Sequence, residues 1–168
     1  MRLFPPEIAH SFALNSLDLA NLLRIKLTRV NDKEKKVKLF GLEFQNRLGI
    51  AGGLDKDGEH INSLVSLGFS FIEVGTVTPK PQKGNPKPRL FRNIKEQSLL
   101  NRMGFNNKGV DNLLKNIELS KYEENCKLAI SIGKNFDTPN DKAVDDYLFC
   151  LDKVFNSSKF DSIFNVYY

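Results

Sequence analysis

Apolar residues recur at helical spacing in the first 25 positions of the chain and at strand spacing soon afterwards. Residues 6–25 have Pro6 near their start and apolar side chains at Ile8, Phe12, Leu19, Leu22 and Leu23. This pattern is typical of one or two short amphipathic helices. Such a segment either packs on the body of the protein or lies against a membrane or a partner, and the pattern favours packing while leaving both open.

The next part of the chain alternates apolar and polar residues. The stretch "VKLFGLEFQNRLGIAGG" from 37 to 53 predicts two short strands joined by a turn at Gly41, and then a strand over 47–53. A helix is predicted over 58–67, because Ile61, Leu64 and Val65 share one face, and a strand over 69–77. Four prolines then predict an extended excursion over 79–98: Pro79, Pro81, Pro86 and Pro88.

The second half of the chain repeats the order of helix and strand. Apolar residues at i, i+3, i+4 and i+7 predict a helix after Asn107, namely Val110, Leu113, Leu114 and Ile117. A strand is predicted over 127–135 and a last strand over 160–166. Between them, Thr138 as N-cap and Pro139 at the first position predict a helix over 139–155. Its apolar face would comprise Val144, Tyr147, Leu148, Leu151 and Phe155.

Strands that alternate with helices predict an α/β fold with a parallel sheet, whose functional loops follow the carboxyl ends of the strands. Three such loops are rich in Gly, Asn, Thr, Asp or Lys: "AGGLDKDG", "GTVTPKP" and "GKNFDTPN". The sequence therefore predicts a ligand site at that edge of the sheet.

Charge adds one feature. The chain of 168 residues has a net charge of +5, and residues 24–38 contain seven basic and two acidic side chains. This stretch is either a contact for an anionic surface or a solvated linker. Nucleic-acid binding is not expected, because no stripe of aromatic and basic residues supports it.

The two cysteines, Cys126 and Cys150, are too isolated for a zinc site, so no metal is expected. Neither a leader peptide nor a membrane-spanning run is predicted.

Individual loop residues suggest chemistry but each has an ordinary structural explanation. Gly52 and Gly53 allow close approach of a flat or anionic ligand. Lys56 can neutralise a carboxylate or simply be solvated, and Thr76 can bond a ligand or simply favour a strand. Three asparagines surround "MGF": Asn101, Asn106 and Asn107. Their amides match the donor and acceptor edges of a pyrimidine, although a turn and a helix cap explain the last two equally well.

Longer motifs carry a resemblance. The segments "AGGLDKDGE", "GFSFIEVGTVTPKPQKGNPKPRLFR", "LLNRMGFNNKGVDNL" and "IGKNFDTPNDKAVDDYLFCLDKV" closely resemble dihydroorotate dehydrogenase of the membrane-associated, quinone-reducing class, from about residue 5 to 155. The resemblance implies a (β/α)8 barrel that carries FMN and oxidises dihydroorotate to orotate in UMP biosynthesis. It also implies an N-terminal helical extension that meets the membrane and admits quinone, with peripheral localisation on the cytoplasmic side of the membrane.

The resemblance also implies roles for individual residues. Residues 1–38 would be the extension and its basic linker, and 39–168 the N-terminal half of the barrel. His10 and Arg92 would lie on the quinone side. The flavin would contact Gly52, Gly53, Leu54, Asp55, Lys56 and Thr76, and the substrate would contact Lys56 together with a strip that comprises Asn101, Arg102, Met103, Gly104 and Phe105.

Two departures from the family pattern limit the residue roles that the resemblance implies. Ser131 stands where the family has a flavin-contacting asparagine, and Asn165 is an imperfect match to another. The family continues past the fourth strand with a segment that holds its serine base, so no catalytic residue is assigned here. The expectation is a barrel truncated after about four βα units, inactive alone and prone to self-association through unpaired strands. The alternative is a non-catalytic module that binds a membrane or a partner.

Overall fold

Four parallel strands form the centre of the fold. The computed structural model describes residues 4–25, 36–121, 126–157 and 160, and the backbone of 162–165. The parallel strands are β3 (Gly49–Ile50), β4 (Phe71–Val77), β7 (Lys127–Ile132) and β8 (Ser162–Asn165), in the spatial order β3-β4-β7-β8. Helices α2 (Ile61–Val65), α3 (Val110–Leu119) and α4 (Ala143–Phe155) connect them, and α1 (Pro6–Leu22) precedes them. The predicted α/β fold with a parallel sheet is confirmed.

Two antiparallel hairpins flank this sheet. The predicted pair around Gly41 is present as β1 (Val37–Leu39) and β2 (Leu42–Phe44). The second hairpin, β5 (Leu90–Asn93) with β6 (Ser98–Asn101), falls at the end of the stretch for which only an extended excursion was predicted. Prolines precede β5 but do not enter it, so its backbone N–H groups are available for pairing.

The core lies between the sheet and its helices. Alternate residues of the central strands face the helices, including Ile72, Val74, Leu128 and Ile130. They pack with the predicted faces of α2 and α3: Ile61 and Leu64 in α2, and Val110, Leu113 and Ile117 in α3. Sequence periodicity therefore identified these helices and the face that each one buries.

Helix α1 packs on α2 and β5 through a face that was not predicted. Its buried residues are Ala9 and Leu14, and Leu14 joins the main core. All five apolar residues that defined the predicted face are exposed instead, namely Ile8, Phe12, Leu19, Leu22 and Leu23. Packing of the helix is confirmed, but the five side chains expected to mediate it remain in solvent. The basic linker lies largely outside the described residues, since 26–35 are not described.

Helix α4 begins later than predicted. A 3-10 turn occupies Asn140–Lys142, the α-helix starts at Ala143, and Thr138 makes no capping hydrogen bond at the helix start. The Thr138 carbonyl accepts a hydrogen bond from Lys134 Nζ at 2.7 Å, which holds this residue in the loop. The buried side chains are Cys150 and Val154. Val144, Leu148 and Phe155 are exposed, so the predicted apolar face was wrong at these three positions.

The outer strands of the sheet are β3 and β8, each paired with one other strand among the described residues. Self-association through these strands stays a prediction. Both cysteines are buried and neither is in a disulfide. Within the part of the chain that the structure describes, no helix is long and apolar enough to cross a membrane.

Leu113 and Leu148 offer a matched test of the helix faces. Leu113 is 0% exposed and Leu148 is 52% exposed. Leu113→Ala should lower the free energy of unfolding by about 2–5 kcal/mol, because it leaves a cavity in a packed core. Leu148→Ala should change it by less than about 1 kcal/mol. Urea denaturation followed by circular dichroism measures both, and equal losses would contradict the observed orientation of α4.

Candidate functional site at the carboxyl ends of the strands

Loops after three parallel strands meet through backbone hydrogen bonds. The N–H of Gly53 donates to the Gly75 carbonyl at 2.6 Å, and the N–H of Gly75 donates to the Asp55 carbonyl at 3.2 Å. On the other side of β4, the N–H of Gly133 donates to the Val77 carbonyl at 2.8 Å. The predicted convergence of these loops at one edge of the sheet is therefore observed.

Glycines leave one part of this edge free of side chains. Gly53 has φ +95° and open space where a Cβ would lie. At Gly52 a Cβ would lie 2.5 Å from Glu73 Oε1, so a larger residue would displace that carboxylate. A flat ligand can therefore approach the backbone of Gly53 closely.

Two hydroxyl groups meet beside these glycines. Thr76 Oγ1 and Ser131 Oγ are 2.9 Å apart, and Ser131 is buried. The shorter side chain at 131 thus has Thr76 as a hydrogen-bond partner. Sequence comparison raised doubt about a contact from Ser131 to a ligand, and the structure shows its hydroxyl hydrogen-bonded to Thr76.

Lys56 is the cation of the site. Its Nζ donates to the Gly53 carbonyl at 2.7 Å, across the turn that follows β3. Burial lowers the pKa of Lys56 below its ordinary value, and the positive charge of Arg89 adds to this effect. A partly desolvated ammonium attracts an anionic ligand more strongly than a solvated one does, because the local dielectric is lower.

The carboxylate of Asp55 points away from this edge. It accepts hydrogen bonds from the backbone N–H groups of Glu59, at 3.0 Å, and His60, at 2.8 Å, just before α2. Burial raises the pKa of Asp55 in spite of these two bonds. Its side chain therefore stabilises the loop, and only its backbone faces the neighbouring strand.

A cavity of about 550 Å³ lies between α1 and the loop after β3. Its lining brings together six predicted or candidate residues: His10, Leu54, Asp55, Lys56, Met103 and Asn106. His10 Nε2 donates to the Leu54 carbonyl at 2.7 Å, which ties the helix to the loop. Asn106 Oδ1 is buried without a hydrogen-bond partner, so it is an acceptor available to a ligand.

The predicted substrate strip is divided between the site and the surface. Phe105 lies against Gly133, since a Cβ on that glycine would be 3.4 Å from the phenyl ring. Asn101 and Arg102 are exposed at the end of β6, where Asn101 Oδ1 accepts from the Met103 N–H at 3.4 Å. The structure thus brings Met103 and Phe105 to the site but leaves the side chains of Asn101 and Arg102 outside it.

Two further predicted residues lie apart from the Lys56 loop. Arg92 is half-buried, and its Nη1 donates to the Phe4 carbonyl at 2.6 Å beside the start of α1. The backbone of Asn165 pairs with Ile132 in β8, whereas its side chain is outside the described part of the chain.

Sequence analysis missed a buried ion pair behind the cavity. Arg89 Nε and Nη2 donate to Glu7 Oε1 at 3.0 and 2.8 Å, and Arg89 Nη1 donates to the carbonyls of Lys83 and Asn85. The arginine side chain is 8% exposed. The two charges are 82 residues apart in the sequence, so no local pattern connects them. The only signal was an arginine that directly follows Pro88.

The pair sets the protonation of Glu7. Burial by itself raises the pKa of Glu7, but the hydrogen bond and charge of Arg89, together with Lys87 and Lys56, outweigh it and lower the pKa below 4.5. A carboxyl group with a lowered pKa stabilises the folded state above its ordinary pKa, and this contribution is lost as the pH falls through the lowered value.

Taken together, these features define a class of protein. Glycine-rich and lysine-bearing loops at the carboxyl ends of parallel strands are where barrels and open α/β sheets bind ligands. The sequence profile of one family, dihydroorotate dehydrogenase, matches residues 34–166. The chain belongs to this family.

Individual relatives agree with this assignment. A dihydroorotate dehydrogenase (quinone) of Acinetobacter baumannii is 51% identical over 158 residues, which is 94% of this chain and 46% of the relative. The protein of the same name from Thiobacillus denitrificans is 50% identical over 157 residues. The chain therefore spans about half the length of the curated relatives that it matches.

Solved structures show the same correspondence. The crystal structure of DHODH from Eimeria tenella in complex with ferulenol superposes with a TM-score of 0.79 at 35% identity, over 96% of this chain and 44% of that one. The ligand-free structure from the same organism gives a TM-score of 0.81 at 35% identity, over 95% of this chain and 44% of that one. The four parallel strands and the three helices between them thus correspond to part of a (β/α)8 barrel, as predicted.

Acidification should loosen α1 through Glu7. Hydrogen–deuterium exchange of residues 6–22 should accelerate as the pH falls below about 4.5, after correction for the intrinsic exchange rate. Glu7→Gln should accelerate it about tenfold or more already at pH 7, because a buried guanidinium loses its charged partner. Glu96→Gln, at an exposed position, is the control. A Glu7→Gln helix as well protected as the parent would refute this role of the pair.

Proposed function

We propose that this chain supplies the N-terminal half of an FMN-dependent site that oxidises dihydroorotate to orotate with quinone as acceptor. The observation that carries the proposal is the meeting of Lys56, the Thr76–Ser131 hydroxyl pair and Phe105 at one edge of the sheet. Membership of the dihydroorotate dehydrogenase family supplies the identity of the reaction. In this proposal residues 39–168 form the barrel half and residues 1–38 the extension.

The residues at this edge suit FMN. The open backbone at Gly53 can lie against a planar ring, and Lys56 and Thr76 can donate hydrogen bonds to its polar edge. When bound, a flavin supplies an acceptor for two electrons. The contribution of the chain would be to hold the ring by the backbone of residues 52–55 and to place a cation beside it.

The same edge suits a pyrimidine carboxylate. Lys56 would bind the carboxylate of dihydroorotate through a charge-assisted hydrogen bond. Phe105 offers an aromatic surface against Gly133, on which a planar ring can pack. Asn101 would approach the pyrimidine edge only if the end of β6 turned inward, because its side chain is exposed in the described structure.

The cavity beneath α1 suits the quinone. It is lined on one side by Ile8, Phe12 and Leu14 and on the other by the Lys56 loop. A quinone ring in this cavity would lie beside His10, whose Nε2 is bonded to Leu54 in the loop assigned to the flavin. Arg92 would hold the start of the extension through its bond to the Phe4 carbonyl.

Ligand binding tests the proposal directly. With FMN present, Lys56→Ala should weaken orotate binding about 10- to 100-fold, as expected for the loss of one hydrogen bond between charged groups. Changes in flavin absorbance during orotate titration measure this.

Lys108→Ala removes a surface lysine bonded to Glu59 and is the matched control. Unchanged orotate affinity in Lys56→Ala, or an equal loss in Lys108→Ala, would contradict the proposed function. The chain alone is predicted not to oxidise dihydroorotate.

A second function, contact with a membrane surface, rests on α1. Its outward side chains Leu19, Leu22 and Leu23 form an apolar face, while the helix packs through Ala9 and Leu14. The net charge of the chain is +5, and basic side chains follow the helix in residues 24–38. We propose that this face lies on an anionic bilayer as a peripheral contact, where burial of apolar area and electrostatic attraction combine.

Vesicle flotation distinguishes this contact from non-specific adsorption through exposed apolar side chains. The full chain should float with vesicles that contain phosphatidylserine, and Leu19→Asp should abolish most of this binding because it places a charge on the apolar face. Leu148→Asp is the control, since Leu19 is 55% exposed and Leu148 is 52% exposed on a different helix. Equal loss in both variants, or flotation unaffected by Leu19→Asp, would contradict a specific contact through α1.

A further inference from the structure

Two consecutive residues of the substrate strip have left-handed backbone conformations. Gly104 has φ +70° and Phe105 has φ +49°. The first costs little because glycine has no Cβ, but the second is strained because its residue has a bulky side chain. Such a conformation persists only where the surrounding structure imposes it.

Side-chain amides impose this conformation. Asn107 Nδ2 donates to the Phe105 carbonyl at 2.6 Å, and Gln82 Nε2 donates to the Gly104 carbonyl at 3.1 Å. Both amides thus bind the backbone of the two left-handed residues. Asn107 and Gln82 also pair with each other through two backbone hydrogen bonds of 3.0 Å.

The two amides are themselves fixed by the strand ends. Asn107 is buried, and its Nδ2 also donates to Thr78 Oγ1 at 2.9 Å, directly after β4. Gln82 Oε1 accepts from Asn135 Nδ2 at 2.9 Å and from the Phe136 N–H at 2.9 Å, in the loop after β7. The conformation of Gly104 and Phe105 is therefore fixed by residues that follow two parallel strands, β4 and β7.

This arrangement determines where the phenyl ring of Phe105 lies. A Cβ at residue 133 would be 2.9 Å from Thr76 Cγ2 and 3.4 Å from Phe105 Cε2. The ring and the threonine methyl group therefore share the space beside Gly133, which only a glycine leaves open. A side chain at this position would force one of them to move.

We infer that Asn107 and Gln82 are positioning residues that hold Phe105 ready for the ligand, and that Gly133 provides the space for its ring. Preorganisation of this kind favours binding because the ordering cost is met before the ligand arrives. The identity of the ligand rests on the proposed function, whereas the positioning of Phe105 is a property of the unliganded chain.

A simple turn role for Asn107 makes a different prediction. Asn107 Oδ1 accepts from the Gly109 N–H at 2.8 Å, in the turn just before α3. Asp forms such a turn as well as Asn does, so Asn107→Asp would preserve the turn. The same change removes the Nδ2 donor to the Phe105 carbonyl and to Thr78 Oγ1, so the contacts that position Phe105 are lost.

The experiment compares Asn107→Asp with Asn106→Asp by NMR of the isotope-labelled, unliganded full chain. In Asn107→Asp, the backbone shifts of Phe105 should leave the left-handed range and its ring contacts to Gly133 should disappear. Amide exchange at residues 104–107 should accelerate about tenfold, as expected for one lost buried hydrogen bond. Asn106→Asp should retain all three parent features. A Phe105 that stays left-handed and in contact with Gly133 in folded Asn107→Asp would overturn the inference.

Two more variants decide the matter if Asn107→Asp does not fold. Gln82→Met should disturb Gly104 and Phe105 in the same way, because it removes the bond to the Gly104 carbonyl. Gly133→Ala should leave the backbone of Phe105 left-handed but displace its ring. The inference would be overturned if Gln82→Met kept the left-handed backbone of Phe105 and Gly133→Ala kept the position of its ring.

Orotate titration with FMN then connects positioning to binding. Gly133→Ala should weaken orotate binding about tenfold, because the displaced ring no longer presents the same surface. Unchanged affinity with a displaced ring would refute the functional part of the inference. Absence of orotate binding by the parent chain would instead contradict the proposed function, while the NMR results would still decide the positioning of Phe105.

Discussion

The parallel pairing of β4 with β7 is the constraint on which the candidate site depends. Its register places Gly75 opposite Ser131, so that the hydroxyl groups of Thr76 and Ser131 meet at 2.9 Å. Because parallel strands end at the same edge, it also brings the loops after both strands together. A shift of one residue would turn the alternating side chains to the opposite faces and break both the core and the site.

Beyond the strand ends, side-chain amides supply the hydrogen bonds that neighbouring strands supply within the sheet. The loops after β4 and β7 cannot pair as strands, yet their buried backbone groups need partners. Asn107 accepts from the Thr78 N–H and Asn135 donates to the Lys80 carbonyl. Gln82 does the same for the segment after β6, where it donates to the Gly104 carbonyl. Loops held in this way are as well defined as the strands that they follow, which a ligand site requires.

The N-terminal helix α1 packs against the rest of the protein on one side and faces solvent on the other. Toward the barrel it presents Ala9, Leu14, His10 and Glu7, and the last of these reaches the buried Arg89. Away from the barrel it presents large apolar side chains to solvent. A helix with apolar residues on both sides has only a weak amphipathic pattern, and this explains why the face that packs differs from the face that the larger side chains suggested.

The sequence by itself determined the order of the parallel strands and the helices between them, the buried faces of α2 and α3, and the glycine- and lysine-bearing loops of the site. These follow from local periodicity and from turn chemistry, which act over a few residues. It also determined the family, because long motifs identify it without any knowledge of contacts.

Tertiary structure alone decided the rest. It decided that Asp55 stabilises a loop, that Asn101 is exposed, and that α4 buries Cys150 and Val154 rather than Val144 and Leu148. It alone paired Glu7 with Arg89 across 82 residues. The physical reason is that side-chain hydrogen bonds and ion pairs depend on distances in space, and no local pattern encodes which distant groups the fold brings within 3 Å of each other.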